Sequence, residues 1–197
     1  LANATSLTTA SATSLAVTRL RLTEFRNYGT LSLDFAPVPV IATGPNGAGK
    51  TNLLEAISFL APGRGLRQAR LSDIDLRLPG AQERPVGSDG WAVAATIETV
   101  HGPVEIGTGC VPPDEKRIIR IGGASAKSQS ALAEYVSAVW LTPQMDRLFA
   151  DGPSGRRRFL DRLVFGFDAA HAGRVSAFEN AMRQRGKLLR EGIGDDI

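Results

Sequence analysis

Apolar and polar residues alternate over two short stretches near the start of the chain. In residues 17–22 (VTRLRL), Leu20 and Leu22 fall on one face and Arg19 and Arg21 on the other; in residues 30–35 (TLSLDF), Leu31, Leu33 and Phe35 repeat the pattern. A period of two marks a half-buried strand. Phe25, Arg26, Asn27, Tyr28 and Gly29 supply a turn, so the two stretches read as neighbouring antiparallel strands. Val40, Ile41 and Ala42 form a continuous apolar run, which predicts a strand buried on both faces. The period then changes, because Leu53, Leu54, Ile57 and Leu60 within residues 50–60 lie at helical spacing. The order is strand, glycine-rich loop, helix.

Residues 61–89 are rich in Pro, Gly and Arg and predict surface loops with a short helix over 71–78. Residues 91–100, 104–109 and 116–121 predict a meander of three strands, with a turn at His101, Gly102 and Pro103. A helix over 128–137, a short strand over 138–141 and a loop over 142–154 follow. Residues 155–167 and 171–190 predict two further helices. In the second, Val175, Phe178, Met182 and Leu189 make a narrow stripe suited to one partner helix, and no helix follows to fill it. Trp91 and Trp140 fall in predicted strands and read as core, and Cys110 reads as a small buried hydrophobe.

Composition narrows the class. With 43% hydrophobic and 22% charged residues in 197, the chain is globular in character rather than disordered. A lone cysteine excludes an internal disulfide and points to a reducing, cytosolic setting. Two histidines and one cysteine, far apart, make no zinc ligand set. The Ser/Thr/Ala-rich residues 1–16 lack a basic start and a sustained apolar centre, so they read as a flexible tail. The formal charge of +3 is too small to argue for nucleic acid, but arginine outnumbers lysine 19 to 4. The placement of the arginines therefore carries the argument.

Gly44, Pro45, Asn46, Gly47, Ala48, Gly49, Lys50 and Thr51 spell G-x-x-x-x-G-K-[ST]. At this composition the expected number of chance matches is about 0.006. The glycines permit backbone angles closed to other residues and let the chain wrap a phosphate. The amides at the start of the following helix face the anion. Lys50 would reach the β- and γ-phosphates, and the Thr51 hydroxyl would coordinate Mg²⁺. The alternative, a ligand-free glycine turn, fits the motif and its context poorly. A nucleoside triphosphate, ATP with Mg²⁺, is the expected cofactor.

Two antiparallel strands precede the loop, as in ATP-binding cassette heads, whereas kinases and GTPases usually place the loop after their first strand. The phrases FRNY (Phe25, Arg26, Asn27, Tyr28), GPNGAGKTNLLEAI (residues 44–57, including Asn52) and GR (Gly63, Arg64) closely resemble the RecF family of bacterial recombination mediators. A third block, Pro153, Ser154, Gly155, Arg156, Arg157, Arg158, Phe159, Leu160 and Asp161, is similar to the family's P-S-x-R-R-R-F-L-D signature. It departs from that pattern in carrying Asp151 where a glycine is usual. The blocks span residues 22–161.

The resemblance implies an α/β fold: a P-loop ATP-binding cassette-type head whose N-terminal lobe sets antiparallel strands around the P-loop core, over residues 17–154. The start of a helical arm domain would occupy 155–197. It further implies a cytoplasmic protein that binds single-stranded or gapped duplex DNA with ATP and forms an ATP-dependent homodimer. With mediator partners of the RecR and RecO type, the family helps load recombinase during repair, replication restart and the SOS response. Slow hydrolysis would release the dimer. The paired acids after an apolar strand, the serine-glycine signature loop and the switch histidine of such heads are not visible, so the chain reads as the N-terminal portion of the family architecture. Binding of ATP carries over; hydrolysis by this chain alone does not. A chromosome-organising ATPase head is the rival reading, with a long coiled coil expected after Arg190, and a transporter cassette is a third.

Weaker candidates remain. Arg26 sits where related heads place a basic residue against nucleotide phosphates, or is a solvated turn arginine. Gln144 follows the short predicted strand, where cassette heads carry a glutamine beside Mg²⁺ and the attacking water, or is a polar loop residue. Arg156 and Arg158 diverge by about 200° on a helix, so they cannot both face one ligand, and a pairing of one of them with Asp161 or another nearby acid is expected. From Arg147 to Arg190 there are ten basic residues and four acidic ones, an excess of six. Arg174, Arg183, Arg185, Lys187 and Arg190 are therefore either a DNA-binding face or a solvated arm helix. Arg64, Arg67, Arg70 and Arg77 form a lesser cluster. His101 and His171 have no partner placed in sequence to suggest catalysis.

Overall fold

The computed structural model describes residues 15–76, 90–112, 116–150, 152–168 and 170–191. The alternating stretches become β1 (Ala16–Phe25) and β2 (Tyr28–Asp34), antiparallel, with Leu22 opposite Leu31 and Phe25 opposite Tyr28. The expected meander becomes β3 (Trp91–Thr99), β4 (Gly102–Cys110) and β5 (Ile118–Ile121), and a short β6 (Ala124–Ser125) extends it. All six strands join one antiparallel sheet in the order β2-β1-β3-β4-β5-β6. Because β3 pairs with β1, the first hairpin becomes one flank of the meander.

Alternation assigns each face of the sheet. Leu20, Leu22, Val93, Ala95, Ile97, Ile106 and Ile119 are buried and share a core with Ala56, Phe59 and Leu60 from the segment of helix α1 (Lys50–Ser58) and its exit. Phe25, Phe59 and Trp91 meet at the centre, Phe25 and Trp91 edge to face with centroids 5.6 Å apart. The Trp91 indole N–H donates to the Leu71 carbonyl at 3.0 Å, so the ring is buried with its one polar atom satisfied. Cys110 is buried as expected.

Several sequence expectations give way. The run Val40, Ile41 and Ala42 forms no strand, and Ile41 is 86% exposed. A strand needs a neighbouring strand to take up its backbone N–H and C=O groups, and no described strand runs beside it. The apolar stripe expected on α1 is also turned: Leu54 is exposed, while Glu55, Ala56 and Ser58 face the core. Within the described part of the expected 71–78 helix, residues 71–76, the only helical piece is a single 3-10 turn, Leu71–Asp73; residues 77–78 lie outside the described residues.

Residues 128–137 contain a 3-10 segment, Gln129–Glu134, rather than an α-helix, with the Ser128 hydroxyl accepting the Ser130 N–H. Residues 138–141 form no strand. Trp140 is half-buried in this extended segment, with the Arg162 guanidinium 3.8 Å from its ring centroid. The 142–154 loop includes a 3-10 turn, Pro143–Arg147. Of the expected tail, residues 1–14 lie outside the described residues, and Ala16 already belongs to β1.

Helix α2 (Pro153–Phe165) starts two residues before expectation because Pro153 suits the first helical position. Helix α3 (His171–Arg190) has the expected bounds. The preceding helix α2 meets the first turns of α3, where Val175 is half-buried and Arg157 lies over the Phe178 ring at 5.6 Å. Met182 and Leu189, farther along the stripe, are exposed.

Candidate nucleotide-binding site

The glycine-rich loop joins the exposed 38–42 segment to α1. Gly44, Gly47 and Gly49 have φ of 144°, 84° and 101°, and Ala48 N–H donates to the Pro45 carbonyl at 3.3 Å to close a turn. Gly49 is the clearest case of necessity. Its φ lies in the left-handed region, and a Cβ there would stand 2.6 Å from the Tyr28 hydroxyl and 2.7 Å from Asn27 Nδ2. The β1–β2 turn is thus packed directly on the last glycine of the loop.

Lys50 opens α1, and its ammonium donates to the carbonyls of Gly44 and Pro45, each at 2.7 Å. This places the charge at the mouth of the loop. Thr51 is exposed in the first turn beside it. The first N–H groups of any helix have no partner within it, and here they border a loop free of side chains at three glycines. The residues fit a polyphosphate: a flexible cation, a hydroxyl for a metal and a helix start in one place. Asn52 Nδ2 donates to Asn27 Oδ1 at 2.8 Å, tying the second turn residue to the helix as well.

Arg26 makes a set of contacts outside the two roles expected for it. Its Nε and Nη2 grip both carboxylate oxygens of Glu55 at 2.9 and 2.7 Å, and Nη1 donates to the Asp73 carbonyl at 2.7 Å. Arg67 completes the cluster, donating to Glu55 Oε2 at 2.6 Å and to Asn52 Oδ1 at 2.7 Å. Glu55 is 1% exposed, so one buried carboxylate on α1 holds the β1–β2 turn and the 61–70 loop. It was legible only as the single acid inside the apolar helix of residues 50–60.

Arg117 was missed altogether. It caps the far end of α1: its Nη2 donates to the Phe59 carbonyl, its Nη1 to the Gly63 carbonyl at 2.7 Å and to Gln129, and its Nε to Thr108 at 2.7 Å. The guanidinium also lies 5.3 Å from the Phe59 ring centroid. Burial lowers its pKa to about 10.

The remaining candidates are dispersed. Gln144 lies in the 3-10 turn after Thr142, away in sequence from any described strand. Asp161 pairs with His171 at 2.9 Å, so the histidine does have a carboxylate partner. The partner was hidden in sequence because the α2–α3 turn brings it in. On α3, Arg174 pairs with Asp168, Arg183 faces Glu179 at 3.8 Å and Lys187 faces Glu191 at 3.7 Å. Arg185 and Arg190 are exposed, with no ion pair among the described residues, and Arg77 lies outside them. An apolar groove of about 810 Å³ runs beside Lys50 and Thr51, lined by Phe35, Val38, Val40, Ile41 and Leu54.

Residues 19–87 match a family model described as an AAA domain. The chain is 49% identical over 181 residues to the DNA replication and repair protein RecF of Allorhizobium ampelinum, an alignment that covers 91% of this chain and 46% of that protein. It is 47% identical to the protein of the same name from Rhizobium meliloti, over 89% of this chain and 45% of that one. About nine-tenths of this chain is thus similar to part of a RecF protein. The chain spans about half the length of the curated relatives it matches.

The fold agrees. A solved structure of the recombination mediator protein RecF with ATPrS superposes with a TM-score of 0.79 at 22% identity, covering 92% of this chain and 47% of that one. A solved SMC ATPase superposes with a TM-score of 0.57 at 18% identity over 75% of this chain and 98% of that one. The RecF-type P-loop head read from the sequence is therefore the observed architecture, and the SMC head is a more distant variant of it. Among the described residues, no helix is long and apolar enough to cross a membrane.

Proposed function

We propose that this chain is the nucleotide-binding lobe of a RecF-type DNA replication and repair protein that binds ATP and, in the ATP-bound form, dimerises on gapped or single-stranded DNA. One observation carries the reading: the Gly44 to Thr51 loop, with three left-handed glycines and Lys50 at its mouth, is fixed in place by the β1–β2 turn packed on Gly49. Residues 44–52 would hold the triphosphate, Lys50 against its outer phosphates and Thr51 toward Mg²⁺. Bound Mg²⁺ would supply charge neutralisation between the phosphates.

The protein's own part is to bind and orient. Lys50 exchanges its two loop carbonyls for phosphate oxygens, while Asn27 and Tyr28 keep the loop from opening. Arg26 acts as a positioning residue through Glu55, holding the turn that presses on Gly49. The proposed domain division places residues 17–154 in this lobe and 155–197 in an arm. The exposed basic residues Arg185 and Arg190, with Arg174, Arg183 and Lys187, are the arm's candidates for DNA. Partners of the RecR and RecO type and a cytoplasmic location complete the reading, with recombinase loading, replication restart and SOS induction as the biological output. A role for Gln144 in hydrolysis belongs to the same proposal.

Fluorescent-ATP binding tests it. Wild type binds in the presence of Mg²⁺, and Lys50→Ala weakens binding by roughly 10- to 100-fold, the value of a charge-assisted hydrogen bond. Equal binding by the two proteins would refute the assignment.

A further inference from the structure

The outer face of the sheet carries an unusual row. Across the strands, register aligns Arg21 on β1 with Ala94 on β3, Gly107 on β4 and Arg120 on β5. Two arginines, about 14 Å apart at the backbone for three strand spacings, thus flank two of the smallest residues available. The row forms the floor and walls of a depression of about 270 Å³ on an otherwise open face. Among the described residues neither Arg21 nor Arg120 forms an ion pair or a side-chain hydrogen bond. The next row differs. There Arg19 is neutralised by Asp34 at 2.6 Å, and its pKa is raised by that hydrogen bond, by the Asp34 charge and, more weakly, by Glu105.

Gly107 is the second observation. Its φ is not left-handed, and a Cβ built on it would meet nothing nearer than Arg120 Cβ at 3.9 Å. Neither backbone angle nor packing requires a glycine there. An interior strand glycine weakens the strand, and where the fold does not demand it the residue marks a place where a ligand or another backbone comes close. Gly109, by contrast, is explained by packing, since its Cβ would strike the Trp91 carbonyl at 2.5 Å.

We infer that Arg21 and Arg120 form a phosphate clamp on the outer sheet face, which seats the sugar-phosphate backbone of DNA over Ala94 and Gly107. Three arginines against one carboxylate, Glu105, line the depression, so its net charge suits a phosphate; the floor between Arg21 and Arg120 carries nothing larger than the Ala94 methyl group, and the trough lies open to a polymer passing across the sheet. Contacts of this kind position the backbone without reading bases. The clamp rests on the DNA-binding reading above and adds a site on the lobe itself, apart from the arm.

The test uses the full-length protein with ATP and Mg²⁺, a labelled gapped duplex and fluorescence anisotropy over a range of salt. R21S combined with R120S should weaken binding about tenfold or more near 0.1 M salt and flatten the log–log salt slope by about 1.8, which is 0.9 for each of two phosphates. G107E, which brings a carboxylate into open space, should lose a similar amount, while G107A keeps the wild-type melting temperature. Fluorescent-ATP binding should be unchanged in all three. Wild-type protein that binds DNA, with variants of unchanged slope and affinity, overturns the clamp alone. No DNA binding by wild type overturns the parent reading and the clamp with it. A change in oligomeric state without a change in the salt slope would make the face a protein contact and also overturn it.

Discussion

Arg26 and Glu55 meet through a two-pronged contact, Nε to Oε2 at 2.9 Å and Nη2 to Oε1 at 2.7 Å, with the carboxylate almost wholly buried. Arg26 adopts φ of 58°, a left-handed conformation that costs a non-glycine residue about 1–3 kcal/mol. The fork offsets that strain and fixes the turn that packs on Gly49. The phosphate loop is thereby linked to the first hairpin through a buried charge rather than through apolar packing.

Removing that charge should unfold the cluster. Glu55→Gln leaves Arg26 and Arg67 without a counter-charge; breaking a fully buried pair costs about 3–5 kcal/mol. Arg26 and Arg67 are 18% and 39% exposed at their side chains, so water recovers part of the loss. A destabilisation of about 2–3 kcal/mol is expected in urea denaturation. A change under about 0.5 kcal/mol, the range of an ordinary surface substitution, would remove Glu55 from its role as hub.

Arg117 makes a separate prediction about the other end of α1. Arg117→Met removes the donors to the Phe59, Gly63 and Ala61 carbonyls and should cost about 2–4 kcal/mol, since each buried acceptor left unpaired costs about 1–3. The loss should appear in thermal or urea melts, with fluorescent-ATP affinity retained wherever the protein is folded. Selective loss of ATP binding at unchanged stability would contradict a capping role.

The Asn27 contact is subtler. Asn27→Ala abolishes the 2.8 Å bond from Asn52 and should lower stability by only about 0.5–1.5 kcal/mol. Nucleotide affinity should fall several-fold because the start of α1 loses its tether. Unchanged affinity would show that the loop keeps its shape without the turn.

Acid should open the α2–α3 connection late. The Asp168 carboxyl is held below its usual value of 3.8, first by the hydrogen bond from Arg174 and then by its charge. A depressed carboxylate contributes stability above its unfolded value and loses it only as pH falls through the lower folded value. Hydrogen exchange in the first turn of α3 should therefore stay slow down to pH 3.8 and quicken below it. Arg174→Ala should move the change upward, and an identical profile would show that the pair does not hold the helix.

Local chemistry made part of this molecule readable. The phosphate loop, both strands of the first hairpin, the meander and the whole of α3 follow from period and turn residues within a few positions of one another. The failures share a different cause. Val40, Ile41 and Ala42 look like a core strand, yet their exposure depends on neighbours that a local pattern does not contain. Leu54 and Glu55 exchange their expected places because α1 is apolar on one flank and carries its buried ion cluster on the other. Arg117 closes on carbonyls 54 to 58 residues earlier in the chain, a span that no local pattern can reach.

The most direct test of the account is retention of a gapped duplex by the full-length protein with and without ATP, for wild type and Lys50→Ala. Wild type should retain the duplex strongly only with ATP and Mg²⁺, and the variant should retain it weakly in both conditions. Equal, ATP-independent retention by the two proteins would contradict the claim that residues 44–52 couple nucleotide to DNA.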